Sequence, residues 1–176
     1  LINGDDPNIM SLPKASWCDT FSIGMGENND FRILEFAENW EGVSFQLHWR
    51  GKLITEVNWG MTGEFNARNL AVSCLGSILA QSARLGKKVD VSNPFSGFEI
   101  PDYSKCKGVK RRQEILIDQA EVVVISDFGH HPTAIEGTLQ SIRSRWPDRK
   151  IIACFEPRSN TAVTNVFQDR FADSLA

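Results

Sequence analysis

The sequence has no cysteine pair at metal-binding spacing, no long apolar run and no strong excess of charge. Its four cysteines, Cys18, Cys74, Cys106 and Cys154, are far apart, so neither a zinc site nor a disulfide framework is indicated. We therefore expect a reducing, cytoplasmic location, with Cys74 and Cys154 buried in their apolar runs. No apolar stretch approaches the length of a membrane span, and no signal peptide is visible. The net charge of -3 argues against a general nucleic-acid surface.

An initiator methionine and a phosphate-binding loop are also missing. The chain opens on Leu1 and Ile2, inside an apolar run, and we expect it to be a piece of a longer protein. Nucleotide-binding loops have the pattern Gly-x-x-x-x-Gly-Lys-[Ser/Thr], whereas Gly-Lys-Lys at 86–88 lacks the earlier glycine and the hydroxyl. An enzyme would then need residues outside this chain. A non-catalytic α/β module that binds a nucleotide or a partner stays open for that reason.

The first half of the chain combines strand and helix patterns. Residues 31–36 predict a strand, and apolar residues alternate with polar ones over 43–49 and 53–59, which predicts a β-hairpin. Apolar residues at helical spacing over 70–85 predict a helix that stops at Gly86. Hydrophobic residues at 41% are ordinary for a globular protein.

A polar stretch rich in glycine and proline, residues 89–107, is the best candidate for a domain boundary. We place the two parts at 1–104 and 105–176. Near the start of the chain, the adjacent carboxylates of Asp5 and Asp6 could hold a metal, but a solvated turn is the favoured interpretation.

The second half predicts a strand–helix–strand unit. The β-branched run 121–125 indicates a buried parallel strand. Pro132 suits the first turn of a helix, whose apolar face is formed by Ile135, Leu139, Ile142 and Trp146. The run 150–155 then predicts a second strand, parallel and right-handed in its connection. A last helix is expected to bury Val163, Val166, Phe167, Phe171 and Leu175.

Candidate site residues follow the two predicted strands. Asp127, His130 and His131 come between the first strand and the helix, where open α/β sheets bind ligands and helix amides favour anions. The alternative is a polar turn that only caps the helix. Arg158 and Asn160 follow the second strand, and we expect them to converge with Asp127 and His130. The histidines have no accompanying residues at zinc spacing, so we expect no metal bound by them.

Two asparagines at the start of the first long helix form a second candidate. Asn66 and Asn69 are three residues apart and share a helical face. A primary amide donates and accepts at once, as the adenine edge requires. The alternative is that Asn66 caps the helix.

Three motifs resemble the Mur ligases, ATP-dependent enzymes that form amide bonds in peptidoglycan synthesis. They are Gly-Glu-Phe-Asn-Ala-Arg-Asn-Leu-Ala at 63–71, Gly-Val-Lys-Arg-Arg-Gln-Glu at 108–114 and Asp-Phe-Gly-His-His-Pro-Thr at 127–133. Protein kinases also carry Asp-Phe-Gly, but no kinase-type glycine loop or His-Arg-Asp loop accompanies it here. The resemblance implies an α/β fold: part of a central ATPase domain, then the first half of a Rossmann-like C-terminal domain.

The resemblance also implies roles for single residues. Asn66 and Asn69 would border the adenine of ATP, and Arg112 would face its phosphates. Asp127 would also contact the nucleotide, and Arg112, Asp127 and His130 would form the catalytic set. ATP and Mg²⁺ are the implied cofactors, and an acyl phosphate of the muramoyl carboxylate is the implied intermediate. Two positions depart from the family: Phe65 replaces a usual histidine, and Gln113 a commonly apolar residue.

Glu-Pro-Arg-Ser-Asn-Thr at 156–161 resembles one branch of the family, the murein peptide ligases. That branch joins the tripeptide L-Ala-γ-D-Glu-meso-diaminopimelate to UDP-N-acetylmuramate during peptidoglycan recycling. The implied substrate-binding residues are Arg158, Ser159, Asn160 and Thr161. Ala162 departs from this branch, and Gly129 is closer to the alanine-adding ligases. Ligation of L-alanine to UDP-N-acetylmuramate is therefore the alternative function.

Overall fold

The computed structural model describes residues 1–158, 160 and 162–176. The strands are β1 (Ile2–Asn3), β2 (Ser22–Gly24), β3 (Phe31–Asn39), β4 (Gly42–Trp49), β5 (Lys52–Trp59), β6 (Glu114–Asp118) and β7 (Val123–Ser126). The α-helices are α1 (Pro7–Met10), α2 (Glu64–Arg84), α3 (Pro132–Arg145) and α4 (Gln168–Leu175). Short 3-10 turns occupy Tyr103–Lys105 and Asn165–Phe167.

The first five strands form one mixed sheet in the order β1-β2-β3-β4-β5. β1, β2 and β3 run parallel, and β3, β4 and β5 run antiparallel. The β4–β5 hairpin is the predicted one. β4 buries its apolar face, Val43, Phe45, Leu47 and Trp49, whereas β5 buries only Val57. β5 lies at one end of the strand order, which explains why Leu53 stays 45% exposed.

Helix α2 covers this sheet and closes the main core. Its buried residues include Leu70, Cys74, Leu75 and Ile78, so the predicted helix and the burial of Cys74 are confirmed. Gly86 ends the helix with a φ of +63°, a left-handed conformation that glycine adopts without strain.

The second unit is smaller and differs from the prediction. β6 and β7 are antiparallel, so the parallel strand expected at 121–125 is wrong. The cause is the short connection between them, closed by a Gln119 N–H bond to the Val122 carbonyl at 3.0 Å. Parallel neighbours need a crossover of a dozen or more residues, which four residues cannot supply.

The second strand of this unit was also predicted wrongly. Residues 150–155 form no strand; Ile152 is 77% exposed, and Cys154 is exposed instead of buried. An apolar run becomes a strand only beside a pairing partner, and in the described chain β7 pairs with β6 alone. The right-handed parallel unit is therefore absent from the described residues.

The two remaining helices keep only part of their predicted apolar faces. α3 begins at Pro132 as predicted and buries Ile135, with Leu139 half-buried against it. α4 buries Phe171, whose ring stacks on Phe155 at 5.1 Å. The helix starts only at Gln168, which leaves the predicted core residues Val163 and Val166 60% and 68% exposed.

The two units touch through α3. Arg145 Nε donates to the Trp40 carbonyl at 2.9 Å, and Ser141 Oγ donates to Glu38 Oε1 at 2.5 Å. Both acceptors belong to the end of β3 and the turn that follows it. A boundary at 104/105 stays a prediction. Among the described helices, none has the length and apolarity needed to cross a bilayer.

The two acidic residues after β1 have separate structural roles. Asp6 caps α1 by accepting from the Asn8 N–H at 2.9 Å. Asp5 reaches across to the β2–β3 turn and accepts from the Met25 and Gly26 amides at 2.8 and 3.0 Å. Arg68 Nη2 pairs with the same carboxylate at 3.1 Å. Asp5 is therefore an exposed turn residue, as expected, whose carboxylate also links this turn to the β2–β3 turn and to α2.

The hydrogen bonds and the ion pair of the Asp5 carboxylate predict an acid-sensitive contribution to stability. Burial raises the pKa of Asp5, but hydrogen bonds from Met25, Gly26, Asn29 and Arg68 outweigh it and hold the pKa below its ordinary value. A carboxyl whose folded-state pKa is depressed stabilises fully above its unfolded pKa, and this stability disappears as pH falls through the folded value. Asp5→Asn should lower the free energy of unfolding at pH 7, as measured by denaturant unfolding. It should also make that free energy depend less on pH below about pH 4.

The exposed Asp148→Asn variant is the matched control for that measurement. It should reproduce the wild-type pH profile. An Asp5→Asn profile parallel to the wild type down to pH 2 would show that Asp5 contributes no pH-dependent stability.

Candidate functional site

A cleft of about 850 Å³ lies between the two units, enclosed by β3, the start of α2 and α3. Its walls include Phe65 and Arg68 from the first unit and Arg112, Asp127, His131 and Thr133 from the second. Glu38, Glu64 and Glu136 add carboxylates to the rim. The cleft thus combines an aromatic ring, two guanidinium groups and several acidic groups.

Two helices begin at this cleft. Gly63 is the N-cap of α2 and His131 that of α3, and neither N-cap residue makes a side-chain cap hydrogen bond to its helix. Residues at both helix starts line the cleft. Uncapped amides and the positive ends of the two helix dipoles favour a bound anion such as phosphate.

Asp127 holds the loops at the C-terminal side of the cleft. Its Oδ2 accepts from the Gln113 N–H at 2.9 Å and its Oδ1 from the Gly129 N–H at 2.6 Å. These bonds join the segment that carries Arg112 to the loop that leads to His131. Arg112 is exposed, and its guanidinium lies 5.9 Å from the centre of the Phe128 ring. Asp127 therefore fixes the backbone, and Arg112 remains accessible to a ligand.

The asparagine pair does not present two amides to the cleft. Asn66 is 5% exposed, and its Nδ2 donates to the Thr62 carbonyl at 2.6 Å. Asn69 is exposed to solvent, and neither residue is among the described cleft walls. Asn66 is not the cap either, because Gly63 has that place. Phe65, half-buried beside them, lines the cleft from this turn together with Glu64.

The structure brings His131 to the cleft rather than His130. His130 is exposed, with its Nδ1 3.1 Å from the Phe128 carbonyl. His131 lines the cleft, and its ring packs edge-on against Phe167 at 5.0 Å. His130 was the predicted site residue of the two adjacent histidines. The sequence signal for His131 was Pro132, which begins α3 and makes His131 its N-cap.

Arg158 lies apart from these residues. Its Nη2 pairs with Glu156 Oε2 at 2.8 Å, and the two side chains are 81% and 71% exposed. Asn160 is an exposed turn residue, and no described contact joins either one to Asp127 or His130. The expected convergence required two loops leaving one parallel sheet edge, which the described residues do not form. Ser159 and Thr161 lie outside the described residues.

Four polar residues of this region, Glu38, Thr62, Gln113 and Ser141, were not predicted as site residues. Glu38 Oε1 accepts from the Gly63 N–H at 3.0 Å as well as from Ser141. Gln113 is 9% exposed, and its side-chain oxygen accepts from the Thr62 hydroxyl. Only Gln113 gave a signal, as a polar residue where the resemblance led us to expect an apolar one.

Two family models match the chain over separate ranges. Residues 1–76 match the Mur ligase middle domain, and residues 111–175 match the Mur ligase, glutamate ligase domain. The chain belongs to the Mur ligase family. The predicted fold class is confirmed: parts of the middle and C-terminal domains of a Mur ligase in a mixed α/β structure. Members of this family are ATP-dependent ligases that form carbon–nitrogen bonds.

Curated relatives extend the family assignment. A UDP-N-acetylmuramate–L-alanine ligase of Lactococcus lactis subsp. cremoris is 34% identical over 98% of this chain and 35% of its own length. The same ligase of Pelobacter propionicus is 31% identical over 93% of this chain and 33% of its own. The chain thus spans about a third of the length of these Mur ligases.

A solved Mur ligase supports the fold. The crystal structure of UDP-N-acetylmuramate–alanine ligase from Thermotoga maritima aligns with a TM-score of 0.61 at 22% identity. The alignment covers 88% of this chain and 31% of that one. At this identity the likeness shows the fold alone.

Proposed function

We propose that the protein containing this chain is an ATP-dependent ligase that joins an amine to the carboxyl group of UDP-N-acetylmuramate in the cytoplasm. In this proposal the nucleotide occupies the cleft between the two units. The observation that carries it is the meeting of two uncapped helix starts with Arg112 in one cleft. This arrangement suits the phosphates of a nucleotide.

Different residues of the cleft would bind different parts of ATP. Phe65 offers a ring face for the base, and Arg112 offers a planar fork for phosphate oxygens. Asp127 keeps the Arg112 segment and the start of α3 in place through its two backbone hydrogen bonds. Asn66 and Asn69, which were predicted at the adenine, would affect nucleotide binding only by shaping the first turn of α2. His130, predicted as catalytic, would have to turn from the Phe128 carbonyl to reach substrate.

Mg²⁺ belongs to the proposal as a companion of ATP. Among the described residues, no group of three or more His, Cys, Asp or Glu side chains is placed to hold a metal ion. Mg²⁺ usually keeps several waters and binds through substrate phosphates with one or two carboxylates. When bound, it would neutralise phosphate charge; the described residues contribute the cationic and amide donors around it.

The relatives favour L-alanine as the amine, which was the alternative in the sequence-based prediction. Both curated relatives named above are L-alanine ligases of UDP-N-acetylmuramate. The tripeptide L-Ala-γ-D-Glu-meso-diaminopimelate is the second candidate. It is favoured by the exposed guanidinium of Arg158, which suits an acceptor with several carboxylates, and by the resemblance of residues 156–161.

Full-length protein offered ATP, UDP-N-acetylmuramate and either L-alanine or the tripeptide decides between the two. Product mass and phosphate release are measured together. Turnover with L-alanine supports the first candidate, and turnover with the tripeptide alone supports the second. Phosphate release that never depends on an amine, with no ligated product, contradicts the proposed function.

Arg158→Ala tests the second candidate further. If the tripeptide is used, its kcat/KM should fall about tenfold or more, the effect of losing one hydrogen bond to a charged group. The kcat/KM for L-alanine should stay within about twofold. Lys150→Ala, which removes another exposed cation, is the control. Equal kinetics of Arg158→Ala and the wild type with the tripeptide would remove Arg158 from acceptor binding.

A further inference from the structure

A buried polar cluster lies where the two units meet, beside the cleft. We call it the Gln113 cluster; its members are Glu38, Thr62, Gln113 and Ser141. Thr62, Ser141 and Gln113 are 2%, 4% and 9% exposed. Side chains this buried contribute stability only when they are hydrogen-bonded.

Hydrogen bonds within the cluster cross between the two family domains. Thr62 donates its hydroxyl to the Gln113 side-chain oxygen. Ser141 Oγ lies 2.5 Å from Glu38 Oε1 and 3.4 Å from the Gln113 oxygen. Glu38 and Thr62 belong to the middle-domain match, whereas Gln113 and Ser141 belong to the C-terminal match. The cluster joins the two domains by side-chain hydrogen bonds.

The backbone of Gln113 is bonded to a residue that lines the cleft. Its N–H donates to Asp127 at 2.9 Å, and Arg112 precedes it in the chain. Its φ of +49° is left-handed, a conformation that is unfavourable for a residue with a Cβ. Such a conformation persists when surrounding contacts hold it. The side-chain bond to Thr62 and the backbone bond to Asp127 are the contacts that do so.

The side-chain amide of Gln113 is only partly hydrogen-bonded. Among the described residues its Nε2 is buried without a hydrogen-bond partner. Only the oxygen of this side chain is thus engaged, by Thr62 of the middle domain and, at 3.4 Å, by Ser141 of the C-terminal domain. The bond from Thr62 is the specific contact that sets where Gln113, and with it Arg112 and Asp127, lies relative to α2.

We propose that Gln113 is a positioning residue for the nucleotide: it ties the Arg112 and Asp127 segment to Thr62 across the domain interface. This inference rests on the proposed function, since it assumes that ATP binds in the cleft. It adds a residue that touches neither the nucleotide nor the reacting atoms. Its effect on ATP is transmitted through the placement of Arg112 and Asp127.

The test compares Gln113→Met, Thr62→Val and the double variant in full-length protein. Met keeps the volume of Gln but loses the acceptor. Gln113→Met should raise the Kd for ATP about three- to tenfold, the range of one neutral hydrogen bond. The kcat at saturating substrate and the Kd for UDP-N-acetylmuramate should change less than about twofold. Gln119→Met, an exposed glutamine after β6, is the matched control and should match the wild type.

The double variant separates positioning from stability. Each single variant leaves a buried polar group unpaired and should lower the denaturant midpoint, whereas removing both partners should restore much of it. The Kd for ATP should stay raised in the double variant. An apolar contact between the two substituted side chains has no preferred direction, so it cannot hold Arg112 and Asp127 in place as the hydrogen bond does. If the Kd for ATP returned to the wild-type value in the double variant together with stability, the inference would be overturned. Changes in denaturant midpoint that simply add from the single variants to the double variant would overturn it as well.

Failure of the inference differs from failure of the proposed function. A wild type that binds ATP with an affinity unchanged by Gln113→Met removes only the positioning role. A wild type that binds no ATP removes the nucleotide site, and the positioning role with it. Calorimetric titration with ATP and denaturant unfolding supply these readouts without requiring turnover.

Discussion

Asp127→Ala is expected to lower kcat/KM for ATP more than tenfold and to destabilise the protein by about 3 kcal/mol. The carboxylate accepts from the Gln113 and Gly129 amides at 2.9 and 2.6 Å. Hydrogen bonds to a charged group contribute about 1.5–3 kcal/mol each. Alanine leaves both part-buried amides unpaired and frees the segment that carries Arg112. Loss of ATP use should therefore accompany loss of stability.

Two control variants sharpen this experiment. Asp127→Asn keeps one acceptor oxygen but sets its NH₂ group against the other amide, so its effect should be intermediate. Asp148→Ala removes an exposed carboxylate after α3 and should leave both readouts unchanged. Wild-type kinetics in a folded Asp127→Ala protein would contradict any role of Asp127 at the nucleotide.

Arg112→Ala is expected to lower kcat/KM for ATP by about ten- to a hundredfold, with less effect on stability. Its side chain is exposed at the cleft wall, and its one described contact is with the Phe128 ring. Little folding energy is lost on truncation, whereas a phosphate would lose a charge-assisted partner. Steady-state kinetics and denaturant unfolding of the same preparation separate the two effects.

Its neighbour provides the matched control. Arg111 has the same charge and an exposed side chain but is not among the described cleft walls. Arg111→Ala should change kcat/KM for ATP less than about twofold, and Arg112→Lys should recover part of the loss, because lysine keeps the charge without the fork. Equal losses for Arg111→Ala and Arg112→Ala would indicate a general charge effect instead of a specific contact.

Local patterns predicted the first unit well. Residues 43–49 and 53–59 alternate between apolar and polar, and the residues after Leu70 have helical spacing. Each of these patterns forms its element through contacts between residues close in sequence. The run 121–125 was predicted as a parallel strand from its composition alone. Its pairing with β6 is set by a short turn, and a composition rich in valine and isoleucine does not distinguish parallel from antiparallel neighbours.

The candidate site was only partly predictable for a related reason. Motifs located the turns that carry Phe65, Arg112 and Asp127, but packing decided which side chains the cleft exposes. Asn66 turned inward to the Thr62 carbonyl, and its spacing from Asn69 held no information about that. Glu38 entered the site through the contact of β3 with α3, which joins residues 103 positions apart in the chain.

Photolabelling with 8-azido-ATP tests most directly whether the cleft between the two units is the nucleotide site. If ATP binds in this cleft, label appears in peptides spanning residues 61–68 or 131–141, and unmodified ATP suppresses it. A second groove of about 620 Å³ lies between α2 and residues 97–101, lined by Ile78, Arg84 and Phe98. ATP-suppressible label in peptides of that groove, with none at the cleft, would contradict nucleotide binding in the cleft.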